Sequence, residues 1–192
     1  IFHITSLGFR GEAIPSIASI SKFEILTKRK EDAVGTRITV EGGKTVSVED
    51  AGCPVGTQIT VKELFFNVPA RLKFLRREST ELSHCISTVT QEILIRPWLD
   101  VTLSHKKSVL IRASKVDSIP QRAKMLFPKE GSSLIDVTAE NAHFKIKAWI
   151  SPIGIHFAGS SMSYMYVNER HIKDTSVRRA IRDAYQGLIP KG

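Results

Sequence analysis

Gly42-Gly43 lies between two stretches that alternate apolar and polar residues, and this arrangement dictates an antiparallel hairpin. Thr36 to Glu41 carries Ile38 and Val40 on one face, and Thr45 to Glu49 returns with Val46 and Val48 expected inward. Phe23 to Lys28 reads as a strand before it, separated by the polar turn Lys28-Arg29-Lys30-Glu31-Asp32. Thr57 to Lys62 reads as a strand after it, with Ile59 and Val61 expected inward. Gly43-Lys44-Thr45 mimics the tail of a phosphate-binding Walker loop. That motif needs a glycine five residues before Gly43, where Ile38 stands, and the flanking alternation makes the segment a hairpin.

Helical spacing surrounds this group. Ile14, Ile17, Ala18 and Ser21 recur at helical intervals, with Pro15 tolerated in the first turn. Pro69 starts a short helix through about Leu75. A longer helix is expected from about Thr80 to Arg96, with Ser79 as its N-cap and Leu82, Cys85, Ile86, Val89 and Ile93 as its buried stripe. Val101 to Ser104 and Val109 to Ala113 make a second hairpin. Ser118, with Gln121 three residues on, is a capping box for a helix that ends before Pro128. Strands follow at Leu134 to Thr138, Phe144 to Ile150 and Ser163 to Val167, and Ser151 to Met162 reads as a Gly- and Ser-rich connection. Asp174 caps a last helix with Val177, Ala180, Ile181, Ala184 and Tyr185 inward. The order is α+β in two pieces, with a change of character near Asp117.

The composition is that of a water-soluble globular chain, 42% apolar and 24% charged, and no apolar run approaches the length of a membrane span. Cys53 and Cys85 show no metal spacing and suit a reducing compartment; the six histidines show no zinc-type spacing. The net charge of +9 is consistent with a polyanionic partner, nucleic acid first, or with a basic soluble surface.

The chemistry centres on Ser6-Leu7-Gly8-Phe9-Arg10-Gly11-Glu12-Ala13-Ile14. Gly8 and Gly11 bracket Phe9-Arg10 and feed a helix that begins near Gly11 or Glu12. Glycine lets backbone approach a ligand, and a helix start offers unpaired N–H groups, so the backbone of Gly8 to Ala13 would suit phosphate. Spacing alone favours a loop and cap without ligand. Arg10 has two readings, a phosphate contact or an ion pair with Glu12. Glu12 is expected to cap its own helix.

The residue identities add a resemblance. Gly8-Phe9-Arg10-Gly11-Glu12-Ala13 resembles the phosphate-lid motif of the MutL mismatch-repair family of GHKL ATPases. Val55-Gly56-Thr57, Ile59, Val61, Leu64-Phe65-Phe66-Asn67-Val68-Pro69-Ala70-Arg71 and Lys73-Phe74-Leu75 are similar to that family's next motif. Tyr166-Val167-Asn168-Glu169-Arg170 resembles its Y-V-N-x-R strand end, departing at Glu169, where a glycine is usual. The resemblance runs from about Ile4 to Tyr185. It implies a partial nucleotide-binding α/β sandwich over residues 1–116 and a partial second, transducer-like β-α domain of the ribosomal-protein type over 117–192.

The same resemblance implies ATP and Mg2+ as cofactors. Gly8, Phe9, Arg10, Gly11, Glu12 and Ala13 would form the nucleotide lid, with Phe9 packing to fix the loop. Gly56 and Thr57 would stand at the adenine site, Thr57 through its hydroxyl. The family's general-base Glu, magnesium-binding Asn and D-N-G-x-G loop are absent from this sequence and are expected upstream of Ile1; its phosphate-contacting Lys is expected beyond Gly192. No catalytic residue and no metal ligand is therefore assigned here, and these 192 residues alone are expected neither to hydrolyse ATP nor to bind it tightly.

Arg170, Lys173, Arg178, Arg179 and Arg182 cluster on a strand end and one helix, and Arg71, Lys73, Arg76 and Arg77 form a second basic group. Such groups bind phosphates without reading bases. The resemblance implies a DNA contact for Arg170; for the other arginines a solvated helix face is the competing reading. It further implies an ATP-gated repair protein that forms a homodimer or paralogue heterodimer, clamps DNA and answers to a MutS-type mismatch-recognition protein. The alternative is a basic nucleic-acid-binding module with a vestigial nucleotide site. The Asn67 to Leu75 form is more bacterial than eukaryotic, which favours the cytoplasm over the nucleus.

Overall fold

The computed structural model describes residues 11–153 and 162–186, so Gly8, Phe9, Arg10 and most of the Ser151 to Met162 connection lie outside the described residues. The chain divides into two compact units, Ile1–Arg77 and Glu78–Gly192.

The first unit holds helix α1 (Ala13–Ala18), strands β1 (Lys22–Lys28), β2 (Gly35–Glu41), β3 (Lys44–Ala51) and β4 (Gly56–Lys62), and the single turn α2 (Pro69–Leu72). The strands form one sheet in the order β3-β2-β1-β4, antiparallel throughout. Gly42 and Gly43 both have positive φ, +55° and +85°, as the two-residue β2–β3 turn demands. The pairing sets Phe23 opposite Val40 and Val61, and Ile25 opposite Ile38 and Ile59. Because directly paired residues share a face, one side of the sheet is continuously apolar.

Burial does not follow that pattern across the whole sheet. Phe23 is buried, whereas Val48 and Ile59 are 64% and 50% exposed, and Val46 and Val61 are exposed too. The alternation identified a common face but not its cover: among the described residues little lies over the outer strands. Val46 stands beside a register shift at Thr39/Val40, which takes it out of the regular ladder.

The second unit is built on α3 (Glu78–Leu94), the hairpin β5 (Val101–His105) and β6 (Ser108–Ala113), and α4 (Ile119–Leu126). Ile93, Ile111 and Ala113 form its core, with Ile86, Val89, Val101, Leu103 and Leu126 packed against them. Since α3 begins at Glu78, Ser79 lies inside its first turn and is not the cap, and Cys85 is exposed, outside the stripe. Ser118 does cap α4, accepting from Gln121 N–H at 3.4 Å; the Gln121 side chain accepts from Asp117 N–H in return. Arg122 of α4 is wholly buried and donates to the carbonyls of Pro97 and Leu99, tying α4 to the turn that follows α3.

A 3-10 turn (Gly131–Ser133) leads to the hairpin of β7 (Ile135–Glu140) and β8 (Lys145–Ile150). Then come β9 (Met165–Val167), β10 (Arg170–Ile172) and α5 (Thr175–Ala184). Strand β10 is too short to announce itself in the sequence; it exists because Asn168 and Glu169 turn the chain back on β9. Asp174 caps α5, its Oδ1 accepting from Val177 N–H at 2.7 Å. The expected inward face of α5 is corrected: Val177, Ala180, Ile181 and Ala184 are exposed, and Tyr185 is half-buried with its hydroxyl on the Ser151 carbonyl. No helix among the described residues is long and apolar enough to cross a membrane.

Candidate functional site

Of the stretch Gly8 to Ala13, the described residues include Gly11, Glu12 and Ala13. Gly11 has φ +64°, and a Cβ there would meet nothing, so backbone conformation and not crowding selects glycine. Gly11, Glu12 and Ala13 are all exposed. Glu12 occupies the N-cap position of α1, but its side chain makes no capping hydrogen bond; its carbonyl accepts from Ser16 N–H at 3.0 Å. The expected side-chain cap is therefore corrected. Helix α1 has only six residues, so its dipole is small and any anion would be held mainly by discrete N–H groups.

The far end of α1 is held by the conspicuous Leu64 to Leu75 stretch. Asn67 Nδ2 donates to the Ser19 carbonyl at 2.9 Å, and Phe65 N–H donates to the Ile20 carbonyl at 2.7 Å. Gly43 N–H donates to Ala18 and Gly42 N–H to Ser21. These bonds satisfy carbonyls that a helix end leaves open. The turn that delivers them is tightly specified: Glu63 and Phe65 both have positive φ, and Glu63 pairs with Lys22 at 2.8 Å. The stretch thus anchors the helix that follows the lid, a role its sequence did not disclose.

Thr57 stands at the start of β4, an edge strand, directly opposite Thr27 of β1. Their hydroxyls lie 2.8 Å apart, and Thr27 Oγ1 also donates to the Gly56 carbonyl at 3.2 Å. With the Thr27 proton on that carbonyl, Thr57 donates to Thr27 and keeps its own lone pairs as acceptors. An exocyclic amine matches such an acceptor. A cleft of about 270 Å³ opens here, lined by Leu26, Cys53, Pro54, Val55, Gly56, Thr57 and Gln58. Gly56 has φ +130° with open space around it. Gly35 differs: a Cβ there would strike Cys53 Sγ and the carbonyls of Thr27 and Ala51, so the close approach of β3 and the Cys53 loop depends on it. Thr27 was not identifiable as a partner of Thr57 from spacing, because the pairing of β1 with β4 joins strands thirty residues apart.

The basic residues divide. Arg170, Lys173, Arg178, Arg179 and Arg182 are all exposed. Lys173 and Arg178 line one cleft together with Ser87, Gln91, Ser163, Tyr164, His171 and Ile172. Arg170, Arg179 and Arg182 lie outside it, and Arg179 reaches Asp183 at 3.6 Å. Asn168 and Glu169 have φ of +47° and +63°, the conformation of a two-residue turn that prefers Asn-Gly. The unusual Glu169 therefore occupies a left-handed position without the residue best suited to it. The turn is nevertheless fixed, because Arg96 Nη2 donates to the Glu169 carbonyl at 3.2 Å and Tyr166 donates to the Gln91 carbonyl at 2.7 Å. Among the described residues no group of three or more His, Cys, Asp or Glu is placed to hold a metal ion.

Comparison with known proteins agrees with this geometry. Residues 124–192 match the family described as DNA mismatch repair protein, C-terminal domain. The chain is 38% identical over 191 residues to the DNA mismatch repair protein MutL of Caldanaerobacter subterraneus subsp. tengcongensis, covering 99% of this chain and 32% of that protein. It is 37% identical over 190 residues to MutL of Symbiobacterium thermophilum, covering 98% of this chain and 30% of that protein. The chain thus spans about a third of the length of these relatives. Among solved structures, the Aquifex aeolicus MutL ATPase domain complexed with ADP superposes with a TM-score of 0.77 at 28% identity, covering 90% of this chain and 67% of that one. Full-span sequence identity and a shared fold of this quality make the chain a member of the MutL family of DNA mismatch repair proteins.

Proposed function

We propose that the protein carrying this chain is an ATP-dependent mismatch-repair protein in which nucleotide binding orders the lid before α1. Gly8 to Ala13 would present backbone N–H groups to the terminal phosphates, and Thr57 would accept from the adenine amine. Residues 1–116 would belong to the nucleotide-binding domain and 117–192 to the transducer-like one. Closure of the lid would favour a dimer, a homodimer or a paralogue heterodimer, that encloses DNA and communicates with a MutS-type mismatch-recognition protein in a bacterial cytoplasm. Magnesium and the catalytic groups for hydrolysis would come from elsewhere in the protein.

The observation that carries this reading is the anchoring of α1. Its C-terminal end is held by Asn67 and Phe65, while its N-terminal residues are exposed. One fixed end and one open end suit an order–disorder switch of the kind that nucleotides control. Hydrogen exchange of the whole protein with and without a non-hydrolysable ATP analogue tests it. Slower exchange confined to the lid and the first turn of α1 is expected; equal exchange there, with the analogue bound, would sink the proposal.

A further inference from the structure

The cleft beside β4 contains only two side chains able to hydrogen-bond strongly. Of its seven lining residues three are apolar, Gly56 has no side chain, and the Cys53 thiol bonds only weakly. Thr57 and Gln58 remain. The Gln58 amide carries both a donor and an acceptor, and it meets either kind of partner by turning over. It cannot choose between them. A hydroxyl can choose, provided that something fixes its proton.

Thr27 does that from outside the cleft. It stands opposite Thr57 across the β1–β4 ladder and is not among the lining residues. Its Oγ1 lies 2.8 Å from Thr57 Oγ1 and 3.2 Å from the Gly56 carbonyl oxygen. A hydroxyl has one proton to give. When Thr27 gives it to the carbonyl, Thr57 gives its own to Thr27, and both contacts are hydrogen bonds. When Thr27 gives it to Thr57, the carbonyl loses this donor and a single bond remains. That difference of one bond favours the first arrangement by roughly fivefold. The Thr57 oxygen then faces the cleft with lone pairs and no proton.

We infer that Thr27 makes this site select a 6-amino purine over a 6-oxo purine, by holding the Thr57 hydroxyl as an acceptor towards the cleft. The inference rests on the reading of the protein as one that binds ATP with its base beside Thr57. The adenine amine donates to that acceptor. The 6-oxo group of hypoxanthine or guanine brings a second acceptor against it. Two facing lone pairs with no proton between them leave both groups unsatisfied, which is how polar sites reject ligands of nearly the same shape. Thr27 is a positioning residue and acts on the base only through Thr57.

The test measures binding of a non-hydrolysable ATP analogue and of its inosine counterpart to the whole protein. The two ligands differ only at ring positions 1 and 6 of the purine. The ratio of their dissociation constants therefore reports how the base is read, while a loss of packing weakens both alike. Thr27→Val keeps the side-chain shape and removes the hydroxyl. It is expected to narrow the preference for the adenine analogue roughly fivefold, whereas Thr27→Ser keeps the original ratio. In a Thr57→Val background, Thr27→Val should move the ratio no further, because the hydroxyl it acts through is gone. Should Thr27→Val not fold, Thr27→Ala takes its place in each comparison. Equal weakening of both analogues by Thr27→Val, or a Thr27→Ser protein that behaves like Thr27→Val, would leave Thr27 a structural role only and overturn the inference. A ratio unmoved by Thr57→Val would overturn it too, since the base would then be read elsewhere, with ATP binding intact. So would an unaltered protein that binds the two analogues equally. If the unaltered protein binds neither analogue, the ATP reading itself fails and the inference falls with it.

Discussion

Arg96 and Glu169, 73 positions apart, meet through a hydrogen bond from the Arg96 guanidinium to the Glu169 carbonyl at 3.2 Å. The arginine side chain is only 8% exposed and also pairs with Glu92 at 2.8 Å. It fastens the tip of the β9–β10 hairpin to the C-terminal end of α3. The acceptor is a main-chain oxygen, so the contact does not depend on the glutamate side chain.

That separation makes a stability prediction. Glu169 has φ +63°, a conformation that costs a residue with a Cβ about 1 kcal/mol relative to glycine. Glu169→Gly keeps the carbonyl and removes the strain, so it is expected to raise stability by up to about 1 kcal/mol in urea denaturation. A loss of stability would show that the glutamate side chain contributes something the turn geometry does not require.

Removing the donor has the opposite effect. Arg96→Ala leaves the Glu169 carbonyl without that bond and opens a void in a buried position. A destabilisation of about 2–3 kcal/mol is expected. Glu92→Gln should cost well under 1 kcal/mol, because Glu92 is 53% exposed and its ion pair is screened. Comparable losses in the two variants would contradict the division.

Glycines 11 and 131 should respond differently to alanine. At Gly131 a Cβ would lie 2.5–2.6 Å from backbone atoms of Ala123 and Lys124, so Gly131→Ala must displace α4 or the 3-10 turn and should cost more than about 2 kcal/mol. At Gly11 the space is open and only φ is unfavourable. Gly11→Ala should cost about 1 kcal/mol or less in stability, yet weaken ATP-analogue binding to the whole protein through the lid. Thermal denaturation beside nucleotide titration separates the two outcomes.

The adenine end is tested by the threonine pair. Thr57→Val preserves the β-branched strand residue and deletes the acceptor hydroxyl. Nucleotide affinity of the whole protein is expected to fall about tenfold, equivalent to about 1.4 kcal/mol, with little change in folding. Thr27→Val frees the Thr57 proton to turn outward and should weaken binding less. Unchanged affinity in Thr57→Val would remove the residue from the site.

Asn67→Ala tests the anchoring of α1. Loss of the bond to the Ser19 carbonyl should cost about 1 kcal/mol and appear as faster hydrogen exchange at Ser16, Ser19 and Ile20. Equal exchange rates would mean that the Phe65 amide alone suffices.

What could be read from the sequence was whatever depends on neighbours along the chain. The Gly42-Gly43 hairpin, the Ser118 and Asp174 caps, Pro69 at a helix start and the α+β order all arise from backbone preferences acting over a few residues. The family was legible for a related reason, since its motifs are short and contiguous. Tertiary structure decided everything that joins distant positions. The alternation of Ile59 and Val61 marked an apolar face but could not say what covers it, since cover comes from other segments. Asn67 stood in a family motif without a role of its own until its amide was seen to hold the end of α1. Thr27 was seen to pair with Thr57 only when β4 was laid against β1, and Ser87 and Gln91 to line a cleft only when α3 met the hairpin. A periodicity specifies which way a side chain points, whereas a site requires that several such directions converge in space, and that convergence is a property of packing.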